Sequence, residues 1–422
     1  MLGRGKAICG GDRMSEEVPP VKDWATDYDL FDADYVREPF PVWKELQGRC
    51  PIAHSERWGG SYMATKYEDL RELVRMVPEL SSRSPAVIPL PPEMREEAIA
   101  EMKLYGSENP PITADPPEHK HYKQLILPFF TPTAVEEIRP FTERLCHELI
   151  DRIIDKGEAD AAADYAQQIP PRVIARMLGI DASRGDEFTE WTRGSIELGQ
   201  TDPVMRAKYR KIIRGFFDEL VTERRANPGD DMVSRLIDAK VEGEPISDHT
   251  ITGICNLLLV AGIDTTWSSI GAALWHFAGH DDDRRRLAAE PSLFPTAIEE
   301  MLRFYAPVMM ARKVTAPVEF GDVTFGPGDK VILNFPAANR DPEVFEQADE
   351  VVLDRERNRH IAFGLGIHRC AGSNLARMEM DVALRVWFER LPEFELSRPN
   401  DVTWAGGQVR GPRTIPVRFP IA

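Results

Sequence analysis

The residue of this chain best placed to bind a metal is Cys370, which follows a glycine-rich turn and precedes a helical pattern. It belongs to the stretch Phe363-Gly-Leu-Gly-Ile-His-Arg-Cys-Ala-Gly372. A cysteine at the entrance of a helix meets free backbone N–H groups and the positive end of the helix dipole, which favour a thiolate over a thiol. The stretch therefore predicts a thiolate that can bind iron, although a free cysteine on its own is more often a small buried hydrophobic residue.

The longest helix that the sequence predicts runs from residue 246 to residue 278. Its run of apolar residues covers much of the helix circumference, so the helix should pass through the protein interior. Near its middle stands Ala261-Gly-Ile-Asp-Thr-Thr266. A buried Asp264 is costly unless it is hydrogen-bonded or functional, whereas Thr265 could simply bond back to a carbonyl of its own helix.

Composition excludes several classes of protein. The chain has 422 residues and a net charge of −17, so nucleic acid is not an expected partner. Its five cysteines are scattered and contain no Cys-x-x-Cys pair, which argues against a disulfide framework and a structural zinc site. No signal peptide is visible, and the long apolar segment carries polar residues that suit a buried helix better than a membrane span. We therefore expect a cytoplasmic protein without membrane attachment.

Helical patterns dominate from residue 115 to residue 305, and short strands are expected on either side of them. We predict a helix over 39–47, a strand over 60–65, a helix over 67–76, and an irregular segment over 81–111 with a short helix at 94–104. Further strands are expected over 308–315, 317–325 and 330–334, and a last hairpin over 409–419. We expect residues 1–22 to form a disordered N-terminal segment and residues 23–422 to form a single domain.

Three other short motifs contain charged residues that could contribute to a binding site. Ala114-Asp-Pro-Pro-Glu-His-Lys-His-Tyr-Lys123 predicts a helix start that places His119 and Lys123 on one face. Glu300 and Arg303 stand three residues apart on a predicted helix, and Arg312 lies on the strand that follows. Taken alone, each of these would be an ordinary solvated charge or surface ion pair.

Together, these motifs and their order resemble the cytochrome P-450 family of haem-thiolate monooxygenases. The resemblance runs from about residue 30 to the end, through Asp-Pro-Pro-Glu-His, Ala-Gly-x-Asp-Thr-Thr, Glu-x-x-Arg and the cysteine loop. It implies the cytochrome P-450 fold, which is mainly α-helical with small β-sheets and has a long central helix over a buried haem b.

The resemblance also implies roles for individual residues. Cys370 would ligate the haem iron, and Asp264 and Thr265 would relay protons to bound oxygen. Glu300, Arg303 and Arg355 would form a structural triad under the cysteine loop. The residues that would contact the haem are His119, Lys123, Ala261, Arg312, Phe363, His368 and Gly372. Lys123 stands where the family has arginine, and it keeps the charge but lacks the planar two-pronged geometry.

The implied activity is insertion of one oxygen atom from O2 into a C–H bond of a small hydrophobic substrate. Electrons would come from a separate ferredoxin and its reductase, since the chain shows no flavin fingerprint and no cysteine cluster for iron–sulfur. Arg359, Arg369 and Arg377 are candidates for the docking patch. The substrate pocket would be lined by Val260, Val308, Met309 and Val409, and a terpenoid or a substituted aromatic is expected.

Two other functions remain open at this point. A peroxide-driven haem-thiolate enzyme would lack the acid–alcohol pair, so Asp264 and Thr265 argue against it. A non-catalytic haem sensor or carrier would need no proton relay. No attached signalling domain is visible either.

Overall fold

The computed structural model describes residues 19–88 and 107–421 of the chain. Helices make up most of it, as the sequence predicts. The α-helices of the described residues are α1 (Ala33–Arg37), α2 (Phe40–Arg49), α3 (Tyr67–Leu73), α4 (Glu118–Ile126), α5 (Pro132–Glu136), α6 (Arg139–Asp151), α7 (Ile169–Met177), α8 (Gly185–Thr192), α9 (Pro203–Ala226), α10 (Met232–Ile237), α11 (Asp248–Gly279), α12 (Asp281–Ala289), α13 (Phe294–Phe304), α14 (Phe335–Ala338) and α15 (Ser373–Arg390).

The central helix α11 confirms the longest sequence-based helix prediction, with its start two residues later and its end one residue later. Ser247 caps it, because its side-chain oxygen accepts from the backbone N–H of Thr250. Among the described residues, α11 is the one helix long and apolar enough to cross a membrane, yet 72% of its most apolar window is buried inside the protein. Helix α11 is apolar around much of its circumference because it lies in the main hydrophobic core.

Short strands form several small sheets. The strands of the described residues are β1 (Ile52–Ser55), β2 (Ser61–Ala64), β3 (Leu80–Ser81), β4 (Glu158–Asp160), β5 (Lys240–Val241), β6 (Glu244–Pro245), β7 (Met310–Val314), β8 (Val318–Phe320), β9 (Val323–Phe325), β10 (Lys330–Leu333), β11 (Glu395–Leu396), β12 (Thr403–Ala405), β13 (Gly411–Thr414) and β14 (Pro416–Arg418). The largest sheet has the order β1-β2-β10-β7-β3. A three-stranded sheet has the order β11-β14-β4, and β12-β13, β5-β6 and β8-β9 form pairs.

Two strand predictions differ from the structure. The segment 317–325 is not one strand but the β8–β9 hairpin, which turns at Gly321 with a φ of +56°. That left-handed conformation favours glycine and breaks the strand. The end of the chain is not one hairpin either, because β13 pairs with β12 whereas β14 pairs with β11 and β4. The predicted helix at 94–104 lies outside the described residues, as does most of the predicted N-terminal segment.

Candidate active site

The cysteine loop is a tight turn whose shape depends on two glycines. Gly364 and Gly366 have φ values of +68° and +66°, which residues with a side chain rarely adopt. The backbone N–H of Cys370 donates to the carbonyl oxygen of Phe363 at 2.8 Å and closes the loop. Helix α15 then begins at Ser373, directly after Gly372. The sequence pattern thus predicts both the loop and the helix after it correctly.

Cys370 as a whole residue keeps accessible surface, yet burial raises the pKa of its thiol. Both observations fit a sulfur that faces a recess lined by protein. The backbone N–H of Gly372 and the positive charges of Lys123, Arg369 and Arg377 act in the opposite direction and lower the pKa. The helix entrance therefore favours the thiolate as the sequence predicts, but burial outweighs it in the free thiol. A metal ion would reverse the balance, because a coordinating thiol is deprotonated.

A cluster of buried cationic and polar groups stands beside the cysteine loop. The rings of His119 and His368 lie 4.3 Å apart between centroids, and Nε2 of each ring is buried without a hydrogen-bond partner in the described part of the chain. Burial lowers the pKa of His119 to about 4 and that of His368 to about 2, and the positive charge of Arg312 lowers both further. Arg312, His119 and His368 thus lie close together, as predicted.

The Arg312 guanidinium lacks the carboxylate that such a group normally has when buried. The residue is 6% exposed, and its Nη1 donates to the Ala311 carbonyl oxygen at 2.8 Å. No ion pair within 4 Å joins it to a carboxylate of the described residues. Burial lowers its pKa to about 10, although the charge of Asp115 raises it. A buried guanidinium and two unpartnered ring nitrogens fit the two carboxylates of haem b, and Cys370 beside them fits an iron ligand.

Lys123 lies on α4 in the same cluster, but it reaches the cysteine loop itself. Its Nζ donates to the carbonyl oxygens of Ile367 and Arg369, the second at 2.8 Å. These two carbonyls flank His368 and precede Cys370. The structure therefore places the Lys123 ammonium against the backbone of the loop.

The predicted structural triad is present and buried. Oε1 and Oε2 of Glu300 accept from Nη2 and Nε of Arg303 at 2.7 and 2.8 Å, and Oε2 also accepts from Nε of Arg355 at 2.9 Å. Glu300 and Arg303 are fully buried. The remaining Arg303 donors bind the carbonyl oxygens of Asn339, Ala348 and Glu350. The triad thus joins α13 to the segment that leads into the cysteine loop.

A second ion-pair cluster beside this triad was missed by sequence reasoning. Glu299 accepts from Nε and Nη2 of Arg377 at 2.5 and 2.8 Å and contacts Nε2 of His360 at 2.8 Å. The Arg377 guanidinium also lies 4.5 Å from the centre of the Phe363 ring. Burial would raise the pKa of Glu299, but the hydrogen bonds from Arg377 and His360 outweigh it and lower the pKa to about 2. Phe363 and α15 are thereby tied to α13.

One face of α11 is less buried than the rest of the helix. Its partly accessible residues recur three or four positions apart, which places them on one side. Near the middle of the helix they are Asn256, Leu257, Val260, Ala261 and Thr265. Gly262 is also partly accessible but lies further round the helix, against Ile174. The Thr265 hydroxyl donates to the Ala261 carbonyl oxygen at 2.8 Å, which is the back-bond expected from the helix alone. Predicted site residues Val260, Ala261 and Thr265 therefore share a face that borders open space.

Asp264, in contrast, is buried and forms an ion pair. Its Oδ1 accepts from Nη2 of Arg413 at 2.8 Å and from the Ser268 hydroxyl at 3.3 Å. Nε of Arg413 donates to Oε2 of Glu197 at 2.8 Å. Burial raises the pKa of Asp264, the Arg413 charge lowers it, and the Glu197 charge raises it again, so that the pKa lies above its ordinary value. Arg413 and Glu197 were missed because nothing local in the sequence links them to α11; a buried acid signals only that some counter-charge exists.

The predicted substrate residues separate into two groups. Val308 pairs with Val409 in an isolated bridge next to β7. Met309, in contrast, is 4% exposed and packs with Ala311 and Trp43 in the N-terminal core. Successive strand residues point to opposite faces, so Val308 and Met310 share the face of Arg312 and Met309 does not. Met310, which is partly accessible, therefore lies on the face of Arg312, and the substrate role predicted for Met309 stays a prediction.

Fold and site together define a haem enzyme with a cysteine ligand, and comparison with known proteins agrees. The profile of the family described as Cytochrome P450 matches residues 202–403. The chain is 32% identical to Cytochrome P450 107B1 of Saccharopolyspora erythraea over 85% of this chain and 89% of that protein. It is 31% identical to the mycinamicin IV hydroxylase/epoxidase of Micromonospora griseorubida over 88% of this chain and 94% of that protein.

A solved structure extends the likeness to three dimensions. The cytochrome P450 PksS of the Bacillus subtilis 168 bacillaene polyketide synthase superposes with a TM-score of 0.83 at 26% identity, covering 93% of this chain and 99% of that one. The chain belongs to the cytochrome P450 family. It is a haem-dependent monooxygenase that binds haem b through the Cys370 thiolate, and the predicted fold is confirmed.

Proposed function

We propose that this monooxygenase hydroxylates a lipophilic natural product and delivers protons through Asp264 and Thr265. The observation that carries the proposal is the arrangement on α11. An apolar face borders open space and ends at the Thr265 hydroxyl, while the neighbouring Asp264 carboxylate is buried against Arg413. The enzyme acts on hydrophobic substrates with O2 and a redox partner; the identity of the substrate and of the donor is our proposal.

The bound haem supplies the activation of O2, and the protein supplies position and protons. Asp264 has a raised pKa, so its carboxyl takes up a proton more readily than an ordinary aspartate. In the relay, the Thr265 hydroxyl oxygen accepts a proton as it gives up its own, so the hydroxyl turns away from the Ala261 carbonyl to which it donates in this structure. Arg312, His119 and His368 hold the cofactor carboxylates, and Ala261 leaves room beside the cofactor.

The pocket residues indicate an apolar substrate. Leu257, Val260 and Ala261 on α11 face Val308 and Met310 in the proposal, and none of these side chains carries a charge. The names of two relatives mention mycinamicin IV and a bacillaene polyketide synthase. A polyketide-type metabolite is therefore the first substrate to test, alongside the terpenoids and aromatics expected from the sequence.

A separate ferredoxin is the proposed electron donor. Next to the cysteine loop lies an apolar recess of about 370 Å³ lined by Val74, Arg75, Val77, Pro78, Pro116, Gly366 and Ile367. Arg75, Arg359 and Arg369 are exposed and form no ion pair within the described part of the chain. Arg377, the third candidate from the sequence, forms an ion pair with Glu299, so we do not include it in the proposed docking surface. Arg75 lines this recess and Arg369 follows Ile367 by two residues, so positive charge stands beside an apolar surface. This combination suits an acidic protein, even on a chain of net charge −17.

Charge reversal tests the docking surface. We expect Arg369→Glu and Arg75→Glu to slow reduction by an acidic ferredoxin, and more strongly at low salt because screening is weaker there. Lys211→Glu, an exposed residue of α9, is the matched control. Equal rates for all three variants would exclude this surface.

The central test combines a spectrum with turnover. The reduced carbon monoxide complex should show the strongly red-shifted Soret band of a thiolate ligand, and Cys370→Ala should lose it. With a surrogate ferredoxin, Thr265→Ala should consume O2 yet form less product. Intact coupling in Thr265→Ala would refute the relay. Turnover with peroxide alone would instead favour a peroxide-driven enzyme, and binding without turnover a sensor or carrier.

A cytoplasmic location and a single domain over residues 23–422 belong to the same proposal. The main core around α11 extends from α4 to β14, which supports one cooperative unit. Cell fractionation would test the first point. A single calorimetric transition of the haem-bound protein would test the second.

A further inference from the structure

The Lys123 ammonium donates hydrogen bonds to backbone carbonyls of the cysteine loop. It does not point towards the space beside Arg312, His119 and His368. An ammonium has three N–H donors, and Lys123 uses two of them on the carbonyl oxygens of Ile367 and Arg369. Both acceptors belong to the cysteine loop, on either side of His368. Lys123 lies on α4, so these bonds fasten the loop to a different element of the fold.

A buried hydroxyl close to the strand of Arg312 has no hydrogen-bond partner in the described part of the chain. In the antiparallel pairing of β3 with β7, Leu80 is opposite Val314 and Ser81 is opposite Lys313. The next residue, Ser82, lies in the bend directly after β3, and its neighbour Asp115 is the carboxylate whose charge acts on Arg312. Ser82 is 1% exposed, and its Oγ has no hydrogen-bond partner in the described part of the chain. Its backbone N–H is held by Asp115 at 2.8 Å, so the residue is fixed in place.

Burial without a partner is costly for a hydroxyl or a ring nitrogen. Oγ of Ser82 and Nε2 of His119 and of His368 all share this condition beside one buried guanidinium. Such a set of donors suits a carboxylate ligand. Lys123 differs from these groups, because two of its three N–H donors already bind carbonyl oxygens of the cysteine loop.

We propose that Ser82 binds the haem carboxylates together with Arg312, His119 and His368. In the same proposal, Lys123 binds the backbone of the cysteine loop and not a haem carboxylate. The proposal rests on the roles proposed above for Arg312 and the two histidines. It differs from the sequence-based expectation that Lys123 binds the cofactor. Lysine suits its place on the loop because the three donors of a compact ammonium are not confined to one plane and can bond two separate carbonyls.

Two readouts separate the two roles in the purified haem-bound enzyme. The first is the rate at which haem passes to excess apomyoglobin, which reports how well the cofactor carboxylates are held. The second is the rate at which the red-shifted Soret band of the reduced carbon monoxide complex decays on mild warming, which reports loss of the thiolate ligand. Neither readout depends on turnover.

We expect Lys123→Met to speed decay of the thiolate band about fivefold or more, because two hydrogen bonds to the loop are lost, and to leave haem transfer within about twofold of the wild type. Lys123→Gln keeps an N–H donor, so its thiolate band should decay at a rate between those of the wild type and Lys123→Met. Lys120→Met, an exposed residue of the same helix, is the matched control.

Ser82→Ala should show the reverse pattern, with haem transfer about fivefold faster and an unchanged thiolate band. Ser84→Ala is its control, and Arg312→Gln sets the upper limit for haem transfer. The proposal for Lys123 is overturned if Lys123→Met releases haem as fast as Arg312→Gln or keeps the thiolate band as stable as the wild type. The proposal for Ser82 is overturned if Ser82→Ala releases haem at the wild-type rate. Absence of the thiolate band from the wild type would refute the cysteine ligand itself, which is a separate failure.

Discussion

Asp264 and Arg413 form an ion pair inside the protein, with 2.8 Å between Oδ1 of the carboxylate and Nη2 of the guanidinium. The two side chains are 2% and 7% exposed. Arg413 lies on β13 and also binds Glu197, in the turn after α8. The proposed proton donor is thus tied to the C-terminal strands and, through them, to the segment between α8 and α9. Burial raises the pKa of Asp264 most, and the charges of Arg413 and Glu197, which lie far away in the sequence, then lower and raise it.

The first prediction concerns Arg413→Gln. The variant removes the positive charge that lowers the pKa of Asp264, so this pKa should rise further and the carboxyl should become neutral. We expect substrate to bind normally while product formed per NADH consumed falls several-fold. An infrared band of a protonated carboxylic acid should appear in Arg413→Gln and be absent from the Asp264→Asn, Arg413→Gln double variant.

Glu197→Gln provides a control of opposite sign. The Glu197 charge raises the pKa of Asp264, so its removal should lower that pKa and produce no new infrared band. If Arg413→Gln keeps wild-type coupling while its haem spectrum is intact, Asp264 does not depend on this pair for its function.

The second prediction concerns the buried triad. Glu300 accepts hydrogen bonds from Arg303, Arg355, Asn358 and the backbone of Val352. Glu300→Gln leaves the Arg303 guanidinium buried without its carboxylate, which should cost about 3–5 kcal/mol of unfolding free energy. Denaturant titration of the haem-bound protein would measure the loss. Asp34→Asn breaks an exposed ion pair with Arg37 and should change stability by less than about 1 kcal/mol. Equal effects of the two variants would contradict the structural role.

The third prediction is a pH dependence of stability due to Glu299. Its pKa is lowered to about 2 in the folded protein, against an ordinary value of 4.5. A lowered carboxyl pKa contributes stability that is fully present above pH 4.5 and is lost as the pH falls towards 2. The contribution is about 3 kcal/mol, from 1.36 kcal/mol per pKa unit.

Glu299→Gln should therefore be less stable than the wild type at pH 6 and equal to it near pH 2. Unfolding free energies at several pH values would show a flatter curve for the variant. Glu389→Gln, at an exposed position that forms no ion pair among the described residues, should keep the wild-type slope. A parallel curve for Glu299→Gln would show that the cluster with Arg377 and His360 does not act on stability in this way.

Local features of the fold and site could be predicted from the sequence, and long-range pairings could not. The cysteine loop is specified by Gly364, Gly366 and the helical repeat that follows, all within one short stretch. Glu300 and Arg303 are three residues apart, so their contact follows from helix geometry. The partner of Asp264 is 149 residues away, and many arginines could have supplied it.

Two further properties could not be predicted from the sequence: the direction of the pKa shift at Cys370, and the face on which each residue of a strand points. The helix entrance predicted a favoured thiolate at Cys370, but burial raises the pKa of the free thiol by a larger amount than the nearby cations lower it. The face on which a strand residue points depends on the strand's exact phase, which a run such as Val308-Met-Met310 does not reveal. Burial of Met309 with Trp43 in the folded core resolves that phase.

The fourth prediction follows from this strand phase. Met310 shares the face of Arg312 and is partly accessible, and its sulfur lies 3.5 Å from Nε2 of Gln408. Met310→Ala should enlarge the pocket, change the affinity for hydrophobic ligands measured by the haem spin-state shift, and alter the distribution of hydroxylated products. It should cost little stability, because the side chain is not fully enclosed.

Met309→Ala should behave in the opposite way. Met309 packs in the core with Ala311 and Trp43, so its truncation leaves a cavity that should cost about 2–5 kcal/mol of unfolding free energy. Product distribution should stay as in the wild type, because the deleted atoms face away from Arg312. A change of products in Met309→Ala, with none in Met310→Ala, would show that the two side chains have the reverse orientation. Comparing both variants in one substrate panel tests the position of the pocket independently of the identity of the natural substrate.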